Sequence, residues 1–273
     1  MSKPDVRLRY RTVIISDTHL GTKDAKARQL LHFLKHIRCD KLVLNGDIID
    51  FWSLRRKPYW TSEHTAVIRR ILKMAEKKTE VVYLRGNHDD MPPDLMPLVL
   101  DRIRLVDRYV HTTAAGVRFL CIHGDAFDAV TTHAKWLAVL GDIGYQQLLR
   151  INRHYNRWRT WRGKEYFSLS QAVKSKVKSA VNYISDFEKH LRQLATRESC
   201  EGIVCGHIHR AENKWVDGVH YINSGDWVES LTAIVEHQDG RMEVIDFNTF
   251  LRELALAEED AFEVDGVFEV PAA

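Results

Sequence analysis

The chain has 273 residues, 45% of them hydrophobic and 28% charged, with a net charge of +3 at neutral pH. That length suits one large α/β domain, or a domain with a sizeable insertion. The balance is that of an ordinary soluble globular protein, and so mild a net charge gives no argument of its own for nucleic acid.

No stretch approaches 18 consecutive apolar residues, so no transmembrane helix is expected. The opening MSKPDVRLRY lacks the apolar core of a secretory signal. Cys39, Cys121, Cys200 and Cys205 form no CxxC pair, and they read as buried free thiols in a reducing, cytoplasmic compartment.

Along the first 125 residues, short apolar runs alternate with helical periodicity. TVIIS (12–16) predicts a strand, ARQLLHFLKHI (27–37) a helix and KLVLN (41–45) a strand. HTAVIRRILKMAEK (64–77) predicts an amphipathic helix, followed by strands at EVVYL (80–84) and VRFLCIH (117–123). This alternation argues for βαβ units around a buried sheet. From about Thr131 to Arg197 only helical periodicity remains. Strands resume at 202–206, 219–224, 231–237 and 242–247, the last two joined by the turn QDG. The reading is an α/β domain over 1–250 carrying a helical insertion at about 130–198. An acidic, Ala-rich tail occupies 251–273, holding a short helix and a loose end.

Five strand ends carry polar chemistry. TVIIS runs into Asp17 and His19, KLVLN into Asp47 and Asp50, and EVVYL into Gly86-Asn87-His88-Asp89. VRFLCI runs into His123, and GIVC into His207 and His209. Carboxyl ends of strands in an α/β sheet form a rim where ligands bind. Each motif alone has an ordinary explanation as a cap, a turn or a satisfied imidazole. Five together, all with oxygen or imidazole donors, point to a shared metal site. Residues two apart past a strand end can reach one centre, which suits Asp17 with His19 and His207 with His209.

Asp17, His19, Asp47, Asn87, His123, His207 and His209 are too many donors for one tetrahedral zinc, and none is a thiolate. Mixed imidazole and carboxylate donors suit two transition-metal ions with one bridging carboxylate. Such a pair activates a bridging water and clamps the oxygens of an in-line displacement at phosphorus.

The set resembles the calcineurin-like metallophosphoesterase superfamily, whose pattern DxH…GDxxD…GNH[DE]…H…GHxH is matched in order between residues 15 and 209. The resemblance implies a βαβ core built as a sheet sandwich flanked by helices, with the insertion forming a lid. It assigns one ion to Asp17, His19, Asp47 and His209, and a second to Asp47, Asn87, His123 and His207. Two divalent ions are implied as cofactors, Mn²⁺ first, with Fe²⁺ and Zn²⁺ also compatible. Catalytic roles fall to His88, facing the phosphoryl group, and to Asp50, which orients it. Asp89 is expected to brace its loop or to cap the segment after it.

ISDTHLG, NGDIIDFW and INSGDWVES further resemble the UDP-2,3-diacylglucosamine diphosphatase family of lipid A synthesis. That implies hydrolysis of the pyrophosphate in a lipid-linked nucleotide at the cytoplasmic face of the inner membrane. His88 stands where that family usually has arginine. Between Lys135 and Lys178, ten basic residues face only Asp142 and Glu165, with Trp and Tyr interleaved; Arg153 and Arg157 are candidates for substrate binding alongside Asn87. A basic aromatic lid suits an anionic nucleotide lipid or an anionic membrane surface. The alternatives are a solvated helix face whose aromatics pack on the core, a surface for single-stranded nucleic acid, a phosphodiesterase or phosphatase for another phosphoester, and a phosphoesterase-fold scaffold for protein binding. Oligomeric state is not legible.

Overall fold

The computed structural model describes residues 6–92, 94, 96–125, 158–159, 161–163, 190 and 192–266. The chain divides into two compact units, 1–125 with 195–273, and 126–194.

In the first unit, β1 (Leu8–Ile15), β2 (Ile37–Asn45) and β3 (Glu80–Leu84) run parallel and side by side. Their carboxyl halves are continuous apolar runs, as strands covered on both faces must be. β2 starts four residues before KLVLN, directly after α1 (Ala27–Lys35). The helix between β2 and β3 is α3 (Ser62–Glu76), preceded by the short α2 (Phe51–Arg56), which the sequence does not suggest.

β4 (Leu98–Leu100), β5 (Ile103–Val106) and β6 (Tyr109–Thr112) are also unforeseen. They are three or four residues long and mostly half exposed, too short for a period to register. β7 (Arg118–Cys121), β8 (Gly202–Cys205), β10 (Val219–Asn223), β11 (Thr232–Glu236) and β12 (Met242–Asp246) fall where expected, and β9 (Glu212–Val216) adds an edge strand. The last helix, α4 (Phe247–Gly266), spans 20 residues rather than a single short stretch. Its Phe250 and Leu254 are buried against the core.

The βαβ units lie in one of two stacked sheets, the sandwich that the family resemblance implies. A seven-stranded sheet has the order β12-β11-β1-β2-β3-β5-β4, and a five-stranded sheet the order β6-β7-β8-β10-β9. Ile14, Val43 and Val82 of the first sheet share a core with Phe119, Cys121, Val204 and Ile222 of the second. Each fully buried Val or Ile there contributes about 1.5–3 kcal/mol. The opposite face of the larger sheet packs Val13, Ile15 and Leu42 under Leu30, Phe33, Val67 and Phe250 of the helices. The architecture is thus a sheet sandwich with helices on its outer face. All four cysteines are free and buried, and burial pushes the Cys39 and Cys121 thiols up to about 12, which keeps them inert.

In the second unit Trp158 and Trp161 are exposed, and the Arg162 guanidinium stacks 4.7 Å above the Trp158 ring. Arg153, Arg157 and the rest of the expected lid lie outside the described residues. Among the described residues no helix is long and apolar enough to cross a membrane.

Candidate metal centre

Asp17 and His19 follow β1, Asp47 and Asp50 follow β2, and Asn87 and His88 follow β3, all on the seven-stranded sheet. His123 follows β7, and His207 and His209 follow β8, on the five-stranded sheet. The rim is therefore the shared edge of two stacked sheets.

Main-chain bonds lace these loops together. Asp17 N donates to Gly46 O (3.1 Å), His19 N to Asp47 O (3.0 Å), Gly206 N to His123 O (2.8 Å) and Trp227 N to Asp17 O (3.1 Å). Asp17, His19, Asp47, His207 and His209 all adopt left-handed backbone, with φ between 44° and 69°. For non-glycine residues that conformation is costly and concentrates at functional sites.

Asp89 holds two of the loops in place. Its carboxylate accepts from the backbone N–H of Asp47 (2.7 Å), Ile48 (3.0 Å), Ile49 (3.1 Å) and Gly86 (2.9 Å), and from the Tyr83 hydroxyl (2.7 Å). The brace expected of it thus reaches across to the β2 loop. Gly86 serves differently from a tight-turn glycine, because its φ is not left-handed. A Cβ there would collide with the Asp47 backbone nitrogen and carboxylate.

The donors gather into two groups. In one, Asp17 Oδ1 lies 3.3 Å from His209 Nε2 and 3.9 Å from His19 Nε2, and the two imidazole nitrogens are 3.3 Å apart. In the other, Asp47 Oδ2 lies 3.3 Å from His123 Nε2, which is 3.2 Å from Asn87 Oδ1, with a His207 nitrogen inside the same cluster. Asp47 Oδ2 is also 3.9 Å from His19 Nε2, so this one carboxylate adjoins both groups. The GHxH histidines separate: His209 lies with the first group and His207 with the second.

Each carboxylate commits one oxygen to the protein and offers the other. Asp17 Oδ2 accepts from Ser16 Oγ and His207 N (2.9 Å), while buried Oδ1 has no hydrogen-bond partner. Asp47 Oδ1 accepts from His88 N (2.8 Å), leaving Oδ2 toward the histidines. His123 Nδ1 is paired with the Asn45 carbonyl (2.9 Å) and His19 Nδ1 with Asp50 Oδ2 (3.1 Å), so both present an Nε2 lone pair. Converging lone pairs and an orphaned buried carboxylate oxygen suit a cation, and the donor set fits divalent transition metals. Without one, burial would raise the Asp47 carboxyl, but hydrogen bonding and charge from His123 override it and hold it at about 2. His123 is correspondingly raised to about 9: burial opposes the imidazolium, and bonding to Asp47 with the Asp17 charge prevails.

Beside the two groups, Asp50 Oδ1 caps α2 through Ser53 N (2.7 Å), and Oδ2 sits 3.1 Å from Nδ1 of both His19 and His88. Trp52 lies against His88, ring centres 4.5 Å apart, and Phe51 N donates to His88 O (3.1 Å). Sequence reasoning missed Trp52, although it directly follows GDIIDF on a turn of helix. It also missed Asp226, whose Oδ2 comes within 4.0 Å of His209 Nδ1 while Oδ1 caps Val228, Glu229 and Ser230.

UDP-2,3-diacylglucosamine hydrolases of Neisseria meningitidis serogroup B and of Neisseria gonorrhoeae are each 24% identical to this chain over 244 residues, covering 81% of it and 91% of theirs. Among solved structures, the E. coli phosphoesterase Yfce aligns over 87% of this chain and 93% of its own at 16% identity, with a TM-score of 0.42. The sequence model for the calcineurin-like phosphoesterases matches residues 10–211, the span that holds all five strand-end motifs, and the chain belongs to that family of metal-dependent phosphoester hydrolases.

Proposed function

We propose that this chain hydrolyses the pyrophosphate of a lipid-linked nucleotide of the UDP-diacylglucosamine kind, using two divalent ions, Mn²⁺ foremost. Asp17, His19, Asp47 and His209 hold one ion, and Asp47, Asn87, His123 and His207 the other. The observation that carries this reading is the pair of donor groups joined through Asp47. Bound divalent ions supply Lewis-acid polarisation of the phosphoryl oxygens and an acidified water. The protein's own part is positional. His88, with Nδ1 3.1 Å from Asp50 Oδ2 and a side chain 28% exposed, is the group that meets an incoming phosphoryl group. There it donates a proton to a phosphoryl or leaving-group oxygen, while Asp50 holds its tautomer. Asn87 doubles as a substrate contact.

The lipid reading draws support from Phe51, Trp52 and Trp60, which are exposed on and just after the helix bonded to His88. Such rings offer apolar surface to acyl chains and suit peripheral work at a membrane. Retention of His88 favours a second reading, a phosphodiesterase or phosphatase for another phosphoester.

The test presents Mn²⁺-loaded protein with detergent-dispersed UDP-2,3-diacylglucosamine and, separately, with a chromogenic phosphodiester, a cyclic nucleotide and single-stranded DNA. Release of UMP from the lipid, with KM falling as the acyl chains lengthen, is the expected result. Turnover of the other phosphoesters without the lipid would replace the first reading by the second.

A further inference from the structure

At the far end of the seven-stranded sheet, where β1, β2 and β3 begin, lies a cavity of about 400 Å³. Among the described residues its lining includes Arg7, Arg9, Arg38, Arg70 and Lys77 against a single carboxylate, Asp40. The polar walls stand over a buried floor that includes Ile37, Cys39 and Met74. From Arg9 to Asp17 the chain advances eight residues, roughly 25 Å of strand, so the cavity is remote from the candidate metal centre.

The charge is concentrated against the sheet's own interest. Arg9 and Arg38 are direct Cα partners in the β1–β2 ladder. Like charges so placed destabilise a sheet by a few tenths to about 1 kcal/mol. Among the described residues no carboxylate pairs with Arg9, Arg38 or Lys77. Arg70 is fixed by Nε donating to the Leu34 carbonyl (2.8 Å), which anchors one guanidinium at the wall. Guanidinium forks match phosphate oxygens in pairs, and the volume lies in the range of small-molecule sites. An apolar floor under a cationic wall suits an anion with an organic body rather than a bare halide.

We infer that this cavity binds the phosphate group of a phosphoester, independently of the metal centre and of whatever that centre hydrolyses. The group belongs either to a soluble phosphorylated compound or to a phospholipid headgroup.

The experiment uses the full-length Asp47→Asn protein without added divalent ion, so that the metal centre does not compete. Calorimetric titration with inorganic pyrophosphate should reveal one site, and adding R9Q/R38Q should weaken it at least tenfold. Both arginines are exposed, so the variant should keep its parent's circular dichroism, with a thermal midpoint no lower than the parent's because their repulsion is relieved. Arg38→Gln alone, weakening binding at least threefold, is the second variant if the pair disturbs folding. Sedimentation with phosphatidylglycerol vesicles separates the sources. Pelleting that R9Q/R38Q abolishes and pyrophosphate competes away assigns the headgroup; pyrophosphate binding without pelleting assigns the soluble compound. No binding of either probe, or binding that these substitutions leave unchanged, overturns the inference.

Discussion

His123 and His209 each bring an imidazole nitrogen to within 3.3 Å of an aspartate oxygen, but their surroundings differ sharply. The His123 side chain is 1% exposed and paired to the Asn45 carbonyl, at the junction of the two sheets. The His209 side chain is 35% exposed, and its nearest carboxylate beyond Asp17 is Asp226 at 4.0 Å. His123 is set by the core itself, and His209 stands where solvent arrives. The difference teaches that two candidate donors of one centre can carry different structural loads: His123 also ties loops of the two sheets together through the Asn45 carbonyl, while His209 is left accessible.

The largest effect should come from the residue common to both halves. Asp47→Ala should lower kcat/KM at least 10³-fold, about 4 kcal/mol of transition-state stabilisation, and reduce bound metal on elemental analysis. Wild-type turnover in that variant would remove the shared carboxylate from the account. Next, His123→Ala should destabilise the metal-free protein by about 2 kcal/mol or more in urea, because it opens a cavity and strips the Asn45 carbonyl of its partner. His209→Ala should stay within about 0.5 kcal/mol; equal losses would erase the contrast.

The pH response sharpens the same point. His123 is raised from 6.5 to about 9 in the metal-free fold, so its imidazolium stabilises fully below pH 6.5. That contribution is lost as pH rises through about 9. The thermal midpoint of chelator-treated wild type should therefore fall more steeply between about pH 6.5 and 9.5 than that of His123→Asn. Added Mn²⁺ should oppose the fall, since ion and proton compete for Nε2. Smallest of all, Trp52→Ala should lower kcat/KM by no more than about tenfold, because it removes a ring that flanks His88 without touching a donor.

Most of the donor set is legible in the sequence because each motif is local: a strand, then two to four residues whose types are chemically conspicuous. Their partition comes only through the family resemblance: by spacing alone His207 and His209 look like one pair, yet they lie near different carboxylates. Asp89 reads as a brace, yet three of the donors it collects lie about 40 residues upstream, a distance no spacing rule spans. Trp52 escapes because a six-residue helix leaves too little periodicity to register. The insertion is legible as composition alone; two of its tryptophans are exposed, which departs from the reading in which its aromatics simply pack on a core.

Five candidate ligands are held in left-handed backbone. Each such position costs about 1 kcal/mol or more, and glycine would relieve it. Glycine at such a position would relax the backbone while removing the donor, so local strain and donor chemistry are set against each other there. The chain keeps side chains at these five positions at a standing conformational cost, which the contacts of those side chains must offset.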